Sequence, residues 1–258
     1  NVVGGFAQRM VAAKGAPFEL KLTLDRREAI AGSSYVTTQL RVGWMQARRE
    51  DEYLGRRHGL IGQETTGVGG MAKALRTIPV ILDIARDIGE LAPGAPLVNF
   101  TNPAGLVTEA LSRYAPQITA VGVCNVPITA KMLILEALGL SEDVDAAARS
   151  RLQTLGLNHL SWHRGFTIDG EDVWPRVMER FLDGLRASAE FEWDPTTVQT
   201  LNMIPNYYLQ YFYYTDRKLA AQEAWPPSRA EEVMAIEEKL LAQYAEPDRT
   251  EPPEGLME

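Results

Sequence analysis

A chain of 258 residues, 45% hydrophobic and 23% charged, is long enough to bury a sizeable core and suits one large or two small domains. Its net charge of −8 argues against nucleic acid as the main partner, and no run reaches the roughly 18 consecutive apolar residues of a membrane span, so neither kind of partner is expected. A single cysteine excludes an intrachain disulfide framework, which points to the cytoplasm. The charge is uneven: residues 221–258 carry ten Asp or Glu against three Lys or Arg, so the remainder is nearly neutral and leaves room for a local basic site.

In chain order, Met10 to Ala13 close a short helix, and the opening residues read as the middle of an αβ unit. The chain is therefore expected to be part of a longer protein. Phe18 to Asp25 alternate apolar and polar with period two, which predicts a strand open on one face. Ser33 to Val42 are rich in β-branched residues and predict the next strand. Leu75, Ile78, Leu82, Ala85 and Ile88 recur at helical spacing within Met71 to Leu91, with Pro79 predicting a kink or break. "APLVNF" and "ITAVGV" are short apolar runs of the kind parallel strands covered on both faces show, and Ala104 to Tyr114 between them predict a helix. Strand, helix, strand at this spacing is a βαβ unit. The expected architecture is α/β, a Rossmann-like doubly wound parallel sheet over residues 1–150.

After about Leu152 the pattern changes, and residues 151–258 are expected to form an α+β domain. Asp169-Gly170 between apolar runs signals a hairpin, and Trp174 to Leu185 a helix. "IPNYYLQYFYYTD" is aromatic enough for a buried or pocket-lining helix. Ser228 with Glu231 is a capping box that opens a helix carrying Val233, Ile236, Leu240 and Tyr244 on one face.

Open parallel sheets bind ligands beyond the carboxyl ends of their strands. Arg41 follows one predicted strand, Asn99, Thr101 and Asn102 the next, and Cys124 and Asn125 the third, so the three groups are expected to meet at one edge. Taken singly each has a plain reading: a buried cysteine is more often core than ligand, and Asn-Pro more often a turn. Of the three histidines, His159 lies at a second apolar-to-polar junction and is either a hydrogen-bonded core residue or a ligand. A thiolate and an imidazole hold a metal without closing it, which suits a borderline divalent ion completed by oxygens of water or substrate. The glycine-rich run Ile61 to Gly70 enters a helix and can offer backbone N–H groups to an anion, although as a nucleotide fingerprint it is weak. Glu64 within it reads most simply as solvated. Arg48 and Arg49 read as a solvated helix face, with Arg48 of interest as a phosphate fork.

The ordered segments "LTLDRREAI", "VTTQLRVGWMQARREDE", "GLIGQETTGVGG", "LRTIPVILDIARD", "NFTNPAGLVTEA", "GVCNVPI", "GLNHLSW" and "IPNYYLQYFYYTD" resemble the NAD-dependent glycosidases of glycoside hydrolase family four, and among these the 6-phospho-β-glucosidases fit best. This family stands apart from two-carboxylate glycoside hydrolysis. The resemblance implies that NAD oxidises C3 of the sugar, a base removes the C2 proton, the aglycone leaves by elimination, water adds, and C3 is reduced again. It implies Cys124 and His159 as ligands of a divalent metal, with manganese expected. It further implies Arg48, Glu64, Asn102 and Asn125 as substrate-binding residues, Arg48 at the phosphate. Tyr208 is implied as the base, with Tyr207 as the alternative because the tyrosine cluster blurs the register. A phenol titrates near pH ~10, so the role needs a neighbouring cation. Arg41, Asn99 and Thr101 fall on the cofactor side.

On the same resemblance, residues 1–150 would be an NAD-binding domain and residues 151–258 a substrate, metal and oligomerisation domain. The partners implied are a phosphorylated disaccharide or aryl glucoside and further copies of the chain in a homodimer or homotetramer. The family's first strand and dinucleotide loop, and a later glycine-tyrosine-serine segment, lie outside these residues, and "VGWM" stands where "VGG" is commoner. Two other readings stay open: a 6-phospho-α-glucosidase or α-galactosidase of the same family, and a non-catalytic module that keeps the fold for dimerisation or sensing.

Overall fold

A computed structural model describes residues 2–143, 145–187 and 193–253. Packing groups the chain into two units, Asn1–Gly122 with Leu219–Glu258, and Val123–Lys218. This differs from the division expected at residue 150. The reason lies in the helix Arg229–Tyr244, which packs on elements from the start of the chain: Tyr244 stacks on Phe6 with ring centroids 4.5 Å apart.

In the first unit the elements run α1 (Val2–Ala13), α2 (Arg26–Ile30), β1 (Val36–Thr38), α3 (Trp44–Arg57), α4 (Gly67–Leu91), β2 (Leu97–Asn99), α5 (Ala104–Tyr114) and β3 (Ala120–Gly122). The strands form a parallel sheet in the order β1-β2-β3, with Val36 opposite Leu97 and Leu97 opposite Ala120. Ile81, Ile84 and Ile88 of α4 meet Leu97 of β2 and Val107 and Leu111 of α5 in one apolar core. Each such side chain contributes about 1.5–3 kcal/mol by leaving water. The Asp51 carboxylate of α3 accepts both Nη atoms of Arg76 on α4, at 2.8 and 2.6 Å, which fixes how these helices pack.

Three expectations are corrected here. Phe18 to Asp25 form no strand: among the described residues the segment has no ladder partner, Phe18, Leu22 and Leu24 are exposed, and Asp25 instead caps α2 by accepting from the amides of Arg27 and Glu28. Of the kink or break expected at Pro79, the break does not occur: helix α4 is continuous from Gly67 to Leu91. Pro79 and Leu75, whose carbonyl loses its partner to the proline, both face solvent, so water can replace the bond while the buried flank holds the helix together. At β3 the cover is one-sided. Ala120 joins the core, whereas Val121, pointing oppositely on the pleat, is half exposed.

The second unit contains α6 (Val126–Ala137), α7 (Ala146–Arg149), β4 (Ser150–Leu157), β5 (Leu160–Ile168), β6 (Glu171–Asp172), α8 (Trp174–Ala187), α9 (Pro195–Leu201) and β7 (Ile204–Pro205). Strand β5 is central to an antiparallel sheet, flanked by β4 on one side and, at different points along its length, by β6 and β7. The expected turn at Asp169-Gly170 joins β5 to β6. Both residues have positive φ, 52° and 86°, which is the two-residue hairpin geometry whose twist matches its strands. Phe166 of β5 lies in a core with Trp174, Val177, Met178 and Leu182 of α8 and Val198 of α9.

The aromatic block is not one buried helix. It divides into β7, a 3-10 turn at Tyr207–Leu209 and the short helices Gln210–Tyr213 and Thr215–Gln222, leaving Tyr207, Phe212 and Tyr213 mostly exposed. The division follows from Asn206. Its backbone N–H donates to Ser161 O at 3.0 Å and its side-chain oxygen accepts from Tyr208 N at 2.9 Å, so the chain leaves a strand and turns at once.

Candidate active site

The turn between β4 and β5 consists of Asn158 and His159, with Leu157 facing Leu160. His159 occupies its second position with φ at 65°, a left-handed conformation that costs a non-glycine residue about 1–2 kcal/mol. Gly156 makes the tight turn possible: its φ is 107°, and a Cβ there would lie 2.2 Å from Leu160 O. The hairpin thereby holds a buried imidazole, 5% exposed, at the tip of two paired strands.

Cys124 lies two residues past β3 in sequence and one before Asn125, the residue that precedes α6. Its Sγ is 3.5 Å from His159 Nε2. The Tyr208 ring stacks on the imidazole, with centroids 3.8 Å apart and planes within 5°. Asn206 positions that tyrosine by accepting the Tyr208 backbone N–H at its side-chain oxygen. Burial pushes the His159 pKa down, which favours the neutral imidazole that a metal requires.

The sulfur and nitrogen fit a shared divalent ion. Metal–sulfur and metal–nitrogen distances of about 2.3 and 2.0–2.1 Å put two such donors about 3.5 Å apart at a near-tetrahedral angle. Among the described residues no three His, Cys, Asp or Glu side chains gather in one place. The pair alone leaves coordination positions for oxygens of water or a ligand. Tyr207 meets Tyr208 edge to face at 5.7 Å and is 63% exposed, which makes Tyr208 the tyrosine associated with the imidazole. Asn125 is exposed at the start of α6.

The first unit holds a second constellation. Glu64, in the loop before α4, accepts from Arg41 Nη1 and from Lys73 Nζ through Oε2, the latter at 2.6 Å, while Arg48 Nη1 approaches Oε1 to 3.4 Å. Arg48 Nε also donates to Glu52 Oε1 at 2.9 Å. Lys73, Arg48 and Arg41 outweigh the desolvation of Glu64 and hold its pKa down to about 2. Glu64 is therefore a part-buried carboxylate held ionised by three cations, not the solvated loop carboxylate expected from sequence. The glycines after it serve packing: a Cβ on Gly69 would lie 2.2 Å from Gln63 O and 2.9 Å from Asp51 O, so the loop closes directly onto α4.

Asn99 and Thr101 are both fully buried at the carboxyl end of β2. Asn99 Oδ1 accepts from Thr38 Oγ1 at 2.9 Å and from Thr101 N at 3.2 Å, its Nδ2 donates to Thr101 O at 3.0 Å, and Thr101 Oγ1 accepts from Leu40 N at 3.0 Å. Their side chains pin the edge from which the β1 and β2 loops depart, and what they offer a ligand is a rigid backbone. Asn102 follows, half-buried, just before α5.

The Family 4 glycosyl hydrolase model matches residues 1–140, and that of the Family 4 glycosyl hydrolase C-terminal domain matches residues 154–256. The chain belongs to glycosyl hydrolase family 4. Within this family it is 46% identical, over 96% of its length, to a probable 6-phospho-beta-glucosidase of Bacillus subtilis, and 38% identical, over 99%, to a 6-phospho-beta-glucosidase of Escherichia coli. It spans 57% and 58% of those two proteins. Among solved structures, that of the 6-phospho-beta glucosidase from Thermotoga maritima with manganese, NAD+ and glucose-6-phosphate superimposes with a TM-score of 0.88 at 31% identity, covering all of this chain and 59% of that one. The α/β fold expected from sequence, with its parallel sheet, is the family's fold.

Sequence reasoning passed over Lys73 and Glu52, both almost fully buried charges within the family 4 fold. A signal was available: Lys73 interrupts the apolar flank of α4, and Glu52 lies four residues after Arg48, one helical turn away. His163, which received no role, is buried and bonded through Nδ1 to Thr154 Oγ1 at 2.9 Å, as a core histidine is.

Proposed function

We propose that this protein is a 6-phospho-β-glucosidase acting on phosphorylated disaccharides such as cellobiose 6-phosphate or on phosphorylated aryl glucosides, with NAD and a divalent metal, manganese by expectation, as cofactors. The observation that carries the reading is the 3.5 Å approach of Cys124 Sγ to His159 Nε2 beside the stacked Tyr208. The names of the relatives at 46% and 38% identity support the substrate class, and the ligands of the Thermotoga maritima structure support the cofactors.

When bound, NAD supplies reversible hydride transfer at the sugar and the metal supplies a Lewis acid for its oxygens. The residues of this chain do the rest. Cys124 and His159 hold the metal. Tyr208, its plane fixed by the imidazole face, takes the proton from C2 through its phenolic oxygen, with Tyr207 as the alternative base. Arg48 binds the sugar phosphate, Glu64 lies beside it, and Asn102 and Asn125 orient the sugar. Arg41, Asn99 and Thr101 belong to the cofactor side, within an NAD-binding unit built on residues 1–122 and 219–258. Residues 123–218 carry the metal ligands and the base. The protein acts in the cytoplasm as a homodimer or homotetramer, which a mass measurement in solution tests.

Turnover in D₂O decides the chemistry: deuterium at C2 of the product is the expected result, and product free of deuterium refutes the elimination route. Phosphorylated aryl glycosides of both anomers decide specificity. Strict preference for the α-linked compound would replace the β assignment.

A further inference from the structure

Lys73 is an ammonium only 3% exposed, carried on the buried flank of α4 that also supplies Ala74, Ile81, Ile84 and Ile88. Burial pushes its pKa down, the direction expected when a charge leaves water, and the Glu64 carboxylate opposes that shift from 2.6 Å. Glu64 is shared. One oxygen serves Lys73 and Arg41, and the other faces Arg48. Arg41, Arg48 and Lys73 against Glu52 and Glu64 leave one net positive charge, whereas the two arginines without Lys73 would be cancelled by the carboxylates that hold them.

We propose that Lys73 is a positioning residue for the sugar phosphate: through Glu64, which Arg41 also holds, it fixes the carboxylate strut against Arg48 and keeps the cluster net cationic toward a phosphate monoester. The inference rests on the reading of Arg48 as the phosphate-binding group. Glu64 then affects the substrate through the Arg48 guanidinium, and Lys73 affects it through Glu64.

Calorimetric titration of the full-length protein with glucose 6-phosphate tests this, using Lys73→Met and the double variant Lys73→Met/Glu64→Gln. Removing one unit charge from a cluster this close weakens binding by about tenfold or more. KM for a phosphorylated glucoside rises in parallel, and kcat changes less. The double variant restores the cluster's net charge but removes the strut, so it binds more tightly than Lys73→Met and more weakly than the parent. A folded Lys73→Met protein with unaltered affinity overturns the proposal. So does a double variant that binds as tightly as the parent, because the strut then positions nothing, or one that binds no more tightly than Lys73→Met, because Lys73 then does not act through the charge of Glu64. A parent protein that itself fails to bind glucose 6-phosphate overturns the functional reading, and this inference with it.

Discussion

The cation cluster around Glu64 and the sulfur–imidazole pair at Cys124 solve opposite problems. Around Glu64 every charge has a counter-charge, the groups come mainly from two long helices, α3 and α4, and the carboxylate is held ionised. Around Cys124 the groups come from a loop, a strained hairpin turn and a 3-10 turn, and two strong donors face each other without a closing third ligand among the described residues. The first region is built to keep its charge pattern whether or not a ligand is present. The second leaves room for a further ligand beside its sulfur and nitrogen, and its backbone strain comes with holding an imidazole at the second position of a two-residue turn.

The contrast is broken most strongly at the second region. Tyr208→Phe removes the proposed base and lowers kcat by about 10²- to 10⁴-fold, while Tyr207→Phe leaves it nearly unchanged; equal losses in steady-state assays would dissolve the distinction drawn from stacking. Cys124→Ser lowers turnover by at least about a hundredfold with the circular dichroism spectrum preserved, and excess Mn²⁺ restores part of it. Full activity in that variant would take the metal out of the mechanism.

Effects on stability are smaller and sharpen the comparison from the other side. The folded-state pKa of Glu64, about 2, lies below its ordinary value of 4.5, so its stabilising contribution is complete above about 4.5 and is lost as pH falls towards 2. Thermal melts across that window should fall less steeply for Glu64→Gln than for the parent protein, and superimposable slopes would mean that the carboxylate is not held as described. The smallest change is expected from His159→Asn. Asparagine tolerates the left-handed turn, so stability shifts by only about 1 kcal/mol while metal affinity disappears. A loss above about 3 kcal/mol in denaturant titration would make the imidazole a structural element of the hairpin.

Local rules carried the reading furthest where one segment contains its own explanation. Ala104 to Tyr114 form a helix with the bounds expected, Glu231 accepts from the Ser228 amide at 2.7 Å as the capping box requires, and Asp169-Gly170 turn as expected. They failed where the outcome depends on a partner distant in sequence. The alternation of Phe18 to Asp25 says nothing about whether a second strand lies alongside. The aromatic block is rich in ring area, but Ser161, some forty residues earlier, anchors Asn206 and ends any continuous helix there. Cys124 and His159 could be named because thiol and imidazole are scarce in this chain, and scarcity narrows the pairings. Lys73 had no such distinction. Its importance comes from burial beside Glu64, which composition and period do not report.

Glu52 divides its carboxylate between two duties, accepting Arg48 Nε at one oxygen and, at 2.9 Å, the amide of Ala230 in the opening turn of the helix Arg229–Tyr244 at the other. A chimaera that exchanges this helix for that of a relative therefore also edits the mooring of Arg48, nearly two hundred residues upstream. Shifting its first turn by a single residue would withdraw that amide, free one carboxylate oxygen and re-aim the guanidinium without altering any side chain beside it.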